Sequence, residues 1–153
     1  MKSILNNCFL LIIPILIWNL LFAHKLIEAG YPISTIKVKR LEWLENTLRF
    51  AVFIIPLFMK FNVSDIHFLR YLTLYIAGIL IYFAAWLMII YFPESKWSTY
   101  KIGLLAPGYT PTIWLIAIGL LGNLKIYIYL SIAFVIIHTL SSYFKLKIAN
   151  VKD

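Results

Sequence analysis

Residues 102–122, IGLLAPGYTPTIWLIAIGLLG, carry no charge at all, and no other feature restricts the fold of this chain as much. The run holds Pro107, Pro111, Gly108, Gly119 and Gly122, with Tyr109, Thr110 and Trp114 among aliphatic residues. About 20 apolar residues are enough to cross a bilayer as a helix. A helix broken by Pro and Gly must find neighbouring helices, polar side chains or water for the backbone groups it frees. The stretch is therefore expected inside a bundle with other spans around it, which makes the chain an all-α integral membrane protein.

Composition agrees. Of 153 residues, 63% are hydrophobic and 13% charged, and mean hydropathy is +0.90. Soluble domains average about 45–50% apolar and about 25% charged. The length allows one transmembrane domain, residues 1–153. The net charge of +8 would suggest nucleic acid in a soluble chain. Here the basic residues fall in the short gaps between apolar runs, where topology and anionic headgroups account for them. The partners expected are the lipid bilayer and no nucleic acid.

Five spans are read, at about 4–23, 47–61, 66–92, 102–121 and 124–144. The first has a single side-chain charge before it, Lys2, and no small-residue cleavage site after it, so it reads as a retained helix rather than a signal peptide. Pro14 is expected to kink it in mid-span. The connection to span two begins irregularly, with Gly30, Pro32, Ser34 and Thr35. It continues as KVKRLEWLENTLRF, where Leu41, Leu44 and Leu48 recur at helical spacing. Either a short interfacial helix or the first turns of span two fits that pattern. Ser64 or Asp65 is the expected N-cap of span three. Gly78, Ala77, Ala84 and Ala85 give that span small surfaces for close helix contact, and Pro93 ends it. Trp97 and Tyr100 read as interfacial anchors, and Gly122-Asn123 as a turn.

With five spans, Lys2, Lys60, Arg70 and Lys125 lie on the N-terminal side and the other ten of the fourteen basic residues on the opposite side. The positive-inside rule then predicts a multi-pass cell (inner) membrane protein, N-terminus outside and C-terminus cytoplasmic. A rival with residues 102–121 re-entrant leaves four spans and divides the basic residues 6 to 8, nearly without bias.

This orientation gathers the polar residues of the spans in the inner half of the bilayer. Asn19, Arg49, Trp86, Tyr109, Thr110 and His138 are the expected lining of a polar cavity facing the cytoplasm, with backbone carbonyls freed near Pro107-Gly108. Each has a plainer reading: Asn19 and His138 as interhelical hydrogen bonds, Arg49 as a snorkelling side chain, the aromatics as packing. Catalytic motifs fail. There is no His-Glu-x-x-His, no Gly-x-Ser-x-Gly and no phosphate loop. All six acidic residues lie outside the spans or at their edges, which removes the intramembrane acid that proton-coupled transport commonly uses. Cys8 is the only cysteine and the three histidines lie on different segments, so no metal and no cofactor are expected.

Five spans in about 150 residues, many Trp and Tyr, and Ala84-Ala85-Trp86 resemble the translocator-protein (tryptophan-rich sensory protein) family in general architecture. The long basic first loop and the single Trp in span four depart from that family's pattern, and no residue role is carried over. The function expected from the residues is non-enzymatic. It is either binding of a lipid or hydrophobic small molecule, or an accessory role beside a membrane-protein partner. The alternatives are a small transporter or channel acting as a homo-oligomer, and a lipid-modifying enzyme with His138 as base.

Overall fold

Residues 6–29 and 39–149 are described by the computed structural model. The irregular start of the long connection (Gly30, Pro32, Ser34, Thr35) and the end of the basic tail lie outside them. Among the described residues every regular element is helical.

A 3-10 turn, Cys8–Leu11, capped by the Asn7 side chain accepting from the Phe9 amide (2.8 Å), leads into α1, Ile13–Glu28. Pro14 stands in the first turn of α1, not in mid-span. Its missing N–H is not needed there and its fixed φ suits a helix start. The helix runs beyond residue 23 because no breaker intervenes before Gly30. α2, Lys39–Ile54, is one continuous helix, so the KVKRLEWLEN stretch supplies its first turns. At Pro56 the chain tightens into a 3-10 turn, Ile55–Phe58.

The Asp65 carboxylate accepts from the His67 amide (2.7 Å) in the turn before α3, Phe68–Tyr91, whose N-cap position is His67 itself. The buried residues of α3 recur as Tyr75, Gly78, Ile79, Tyr82, Ala85, Trp86 and Ile89, one stripe at helical spacing. Ala77 and Ala84 face outward. A short turn, α4 (Lys96–Thr99), is capped by Ser95 and tied to α3 by the Ser98 hydroxyl, which donates to the Met88 carbonyl (2.9 Å). Trp97 and Tyr100 are both exposed.

The charge-free stretch falls into α5 (Lys101–Leu104), α6 (Ala106–Tyr109) and α7 (Pro111–Leu121). Pro107 and Pro111 each sit in the first turn of a new piece, while the joining residues Leu105 and Thr110 stay near helical geometry. From Ala106 to Leu121 most side chains are buried, as a helix surrounded by others requires. Asn123 takes a positive φ of 50°, and the amides of Asn123 and Leu124 bond back to Leu120 and Gly119 (3.1 and 2.9 Å). This closes α7 in a Schellman turn before α8, Lys125–Ala149.

Three helices are long and apolar enough to cross a membrane: Cys8–Glu28, Phe68–Tyr91 and Lys125–Leu146. The five-span count is not reached on length and composition. α2 opens with Lys39, Arg40, Glu42 and Glu45, and Ala106–Leu121 is apolar but shorter.

Cross-contacts fix the helix directions. Tyr75 and Tyr82 donate to the Leu11 carbonyl and to Asn19, so α3 runs parallel to α1. Tyr127 reaches the Val52 carbonyl and His138 reaches Glu45, so α2 and α8 are antiparallel. A Cβ on Gly108 would face Thr139, and one on Gly119 would meet Ile128, so α6–α7 also opposes α8. α1, α3 and α8 thus point one way, and α2 and α5–α7 the other.

One end of the bundle is closed by its own loops. The Cys8 amide donates to the Met59 carbonyl (2.9 Å), Phe61 to Asn6 (3.1 Å) and Asn62 to Leu121 (2.8 Å). Cys8, Ile12, Pro56, Met59, Leu121 and Tyr127 fill this cap and are buried.

Candidate functional site

Below the cap, α1 packs along α3 and leaves a gap facing α2 and α8, with α6–α7 behind it. The gap is a cavity of about 570 Å³. Ligand sites run to about 300–1,000 Å³ and combine apolar walls with a few convergent polar groups.

Helical spacing explains who lines it. α1 gives Ile15, Asn19, Ala23 and Leu26; α2 gives Glu45, Arg49 and Phe53; α3 gives Tyr82 and Trp86. Pro107, Pro111 and Trp114 come from the broken segment, and Phe134, His138, Ser142 and Lys145 from α8. Because α2 opposes α1 and α8, these residues sort by depth. Ile15, Phe53, Trp114 and Phe134 lie nearest the cap. Leu26, Trp86, Ser142 and Lys145 lie toward the opposite end, with Asn19, Arg49 and the Glu45–His138 contact between. The cavity is apolar toward the cap and charged away from it.

Its charged end is organised by Glu45. That carboxylate is 4% exposed, yet Arg49 pairs with it from one turn along α2 and His138 Nδ1 lies 2.8 Å from it across the bundle. A carboxylate acceptor places the proton of the His138 ring on Nδ1, and Phe134 stacks on that ring at 5.4 Å. Lys145 lines the same end and has no hydrogen-bond or ion-pair partner among the described residues.

Two tryptophans pack into the walls with their indole nitrogens shut off from the cavity surface. Trp86 is 8% exposed and Trp114 2% exposed, and neither indole Nε1–H has a hydrogen-bond partner among the described residues. Asn19 accepts from the Tyr82 hydroxyl (2.7 Å) through its side-chain oxygen. Pro111 has no N–H to offer the Pro107 carbonyl, which is its helical acceptor position.

Of the residues singled out in the sequence, Asn19, Arg49, Trp86 and His138 border this cavity, and Tyr109 and Thr110 do not. Pro107, Pro111 and Trp114 share the cavity-facing side of the broken segment, and Tyr109 projects from the opposite side. The Thr110 hydroxyl folds back onto the Ala106 carbonyl (2.7 Å). Sequence reasoning missed Glu45, which it left among the charges at a span edge. The signal was there: Leu41, Glu45, Leu48 and Val52 recur at i, i+4, i+7 and i+11, and they are the less exposed face of α2. Lys145 and Ser142 were also missed, one as part of the basic tail and the other as one of several hydroxyls in α8. No three His, Cys, Asp or Glu side chains cluster as metal ligands would among the described residues. No family model, curated protein or solved structure matches the chain.

Proposed function

We propose that this chain is a small inner-membrane protein that binds a lipid or another hydrophobic small molecule in the cavity and performs no chemistry on it. The observation that carries this reading is the cavity itself: apolar toward the cap, polar at the other end, and within the size range of small-molecule sites. In this reading the chain crosses the membrane five times, N-terminus outside and C-terminus cytoplasmic. The alternation of direction from α1 through α2, α3, α5–α7 and α8 supports five crossings. So does the burial of the charge-free stretch between α3 and α8. The charged end of the cavity then faces the cytoplasm.

The test is native mass spectrometry of the full-length protein extracted gently from its own membrane. One small molecule or one lipid class at a 1:1 ratio is the expected result. A bare chain carrying only a heterogeneous lipid mixture would overturn the reading, and a stoichiometric second protein would replace it with an accessory role.

One observation favours a second reading, a lipid-modifying enzyme. Glu45 holds His138 by Nδ1, the arrangement that orients a general base. An enzyme would lose turnover in a His138→Gln variant that keeps its fold and its bound ligand.

A further inference from the structure

We infer that the occupant is a single-chain amphiphile with an anionic, acceptor-only head, a carboxylate or a phosphate monoester, held at Arg49 and Lys145 with its apolar body toward Trp114. The inference rests on the cavity-binding reading above and names the ligand for it.

The first argument is a balance of hydrogen-bonding capacity. The acceptors of the lining are largely engaged: Glu45 by Arg49 and His138, and the Asn19 oxygen by Tyr82. The spare capacity is donor. Lys145 offers three N–H groups and has no partner among the described residues. Arg49 spends only part of its five-donor fork on Glu45 and Asn46. The Pro107 carbonyl is outnumbered. A ligand rich in acceptors satisfies such a wall, and a ligand with donors does not.

The second argument is charge. The lining holds two permanent cations, Arg49 and Lys145, against one carboxylate, Glu45. One negative charge on the ligand brings that balance to neutral. The third is shape. Eleven residues separate Ile15 from Leu26 on α1, and eleven separate Phe134 from Lys145 on α8, so the cavity extends about 16 Å at a helical rise of 1.5 Å per residue. The charged groups all stand toward one end of that length, and the other end is lined by aromatic and aliphatic groups alone. A chain with one charged head matches this gradient.

The test uses the full-length protein in zwitterionic phosphatidylcholine nanodiscs, with bound ligand read by native mass spectrometry. Oleate, oleoyl lysophosphatidate and oleyl alcohol share one chain and differ in the head. They are offered at equal concentration to wild type and to Lys145→Gln, a half-buried side chain with no hydrogen-bond or ion-pair partner among the described residues. Wild type is expected to hold one oleate or lysophosphatidate in preference to the alcohol by about tenfold or more, the scale of one charge-assisted hydrogen bond. Whichever anion dominates identifies the head. In Lys145→Gln the preference is expected to fall toward unity with occupancy retained. Equal binding of the alcohol, or a preference unchanged in Lys145→Gln, overturns the head assignment and leaves the cavity reading standing. If no single-chain ligand binds wild type, the inference fails. If the protein taken from its own membrane is also bare, the cavity reading fails with it.

Discussion

Glu45 and Arg49 form one ion pair in two different surroundings, since the glutamate side chain is 5% exposed and the arginine side chain 44% exposed. Removing the two partners is therefore not equivalent. Arg49→Met leaves a buried carboxylate without its permanent countercharge, with the His138 contact remaining, and is expected to cost about 3 kcal/mol. Glu45→Met leaves Arg49 free to reach the surface and no buried charge behind, and is expected to cost about 1 kcal/mol or less. Thermal unfolding of the purified variants in detergent gives the order, and a reversed order would show that Glu45 holds the bundle together through its partners. The same residue shows where sequence reading stops. Leu41, Leu44 and Leu48 and the alternative stripe Leu41, Glu45, Leu48 and Val52 both have helical spacing. Only a partner 93 positions away, His138, decides between them. Asn19, Arg49 and His138 were legible because amide and charged groups within apolar runs are costly unless they face the interior.

Among the elements, α3 makes its closest approach at Gly78. A Cβ there would lie 2.7 Å from the Trp114 amide nitrogen and 2.9 Å from Ile113 Cγ2, so α3 or α7 would have to move. Gly78→Ala is expected to lower the apparent melting temperature, at a cost of about 1–3 kcal/mol. The neighbouring Ala77→Leu, on the outward face, is expected to leave it unchanged. Size-exclusion profiles after graded heating would distinguish the two, and equal losses would mean that the phase of α3 is wrong. The existence of these helices was legible from apolar run length alone. Their breaks were less so, because a proline reads the same way at a kink and at a helix start. Pro14 became a start because the 3-10 turn before it already spends Cys8–Leu11. Pro107 and Pro111 kept the broken character expected of them, although the cavity takes its contacts from the prolines and Trp114 rather than from Tyr109 and Thr110.

For the molecule as a whole, outward faces carry large apolar side chains, among them Leu20, Phe50, Ile66 and Leu69, each more than 65% exposed. Such a belt needs an apolar surrounding. The polar groups instead converge inward, on one cavity. That cavity stops short of the cap, where Ile12, Ile118 and Tyr127 are fully buried and the loops are joined backbone to backbone. Proteoliposomes are therefore expected to leak ions and small solutes no faster than protein-free vesicles. Sustained flux would require the Cys8–Met59 and Asn62–Leu121 joins to part. A stoppered chamber also dictates how its contents turn over. Nothing can be pushed through from behind the joined loops. For a site that holds one ligand at a time, as proposed above, the residence time of the first ligand becomes the clock for the second.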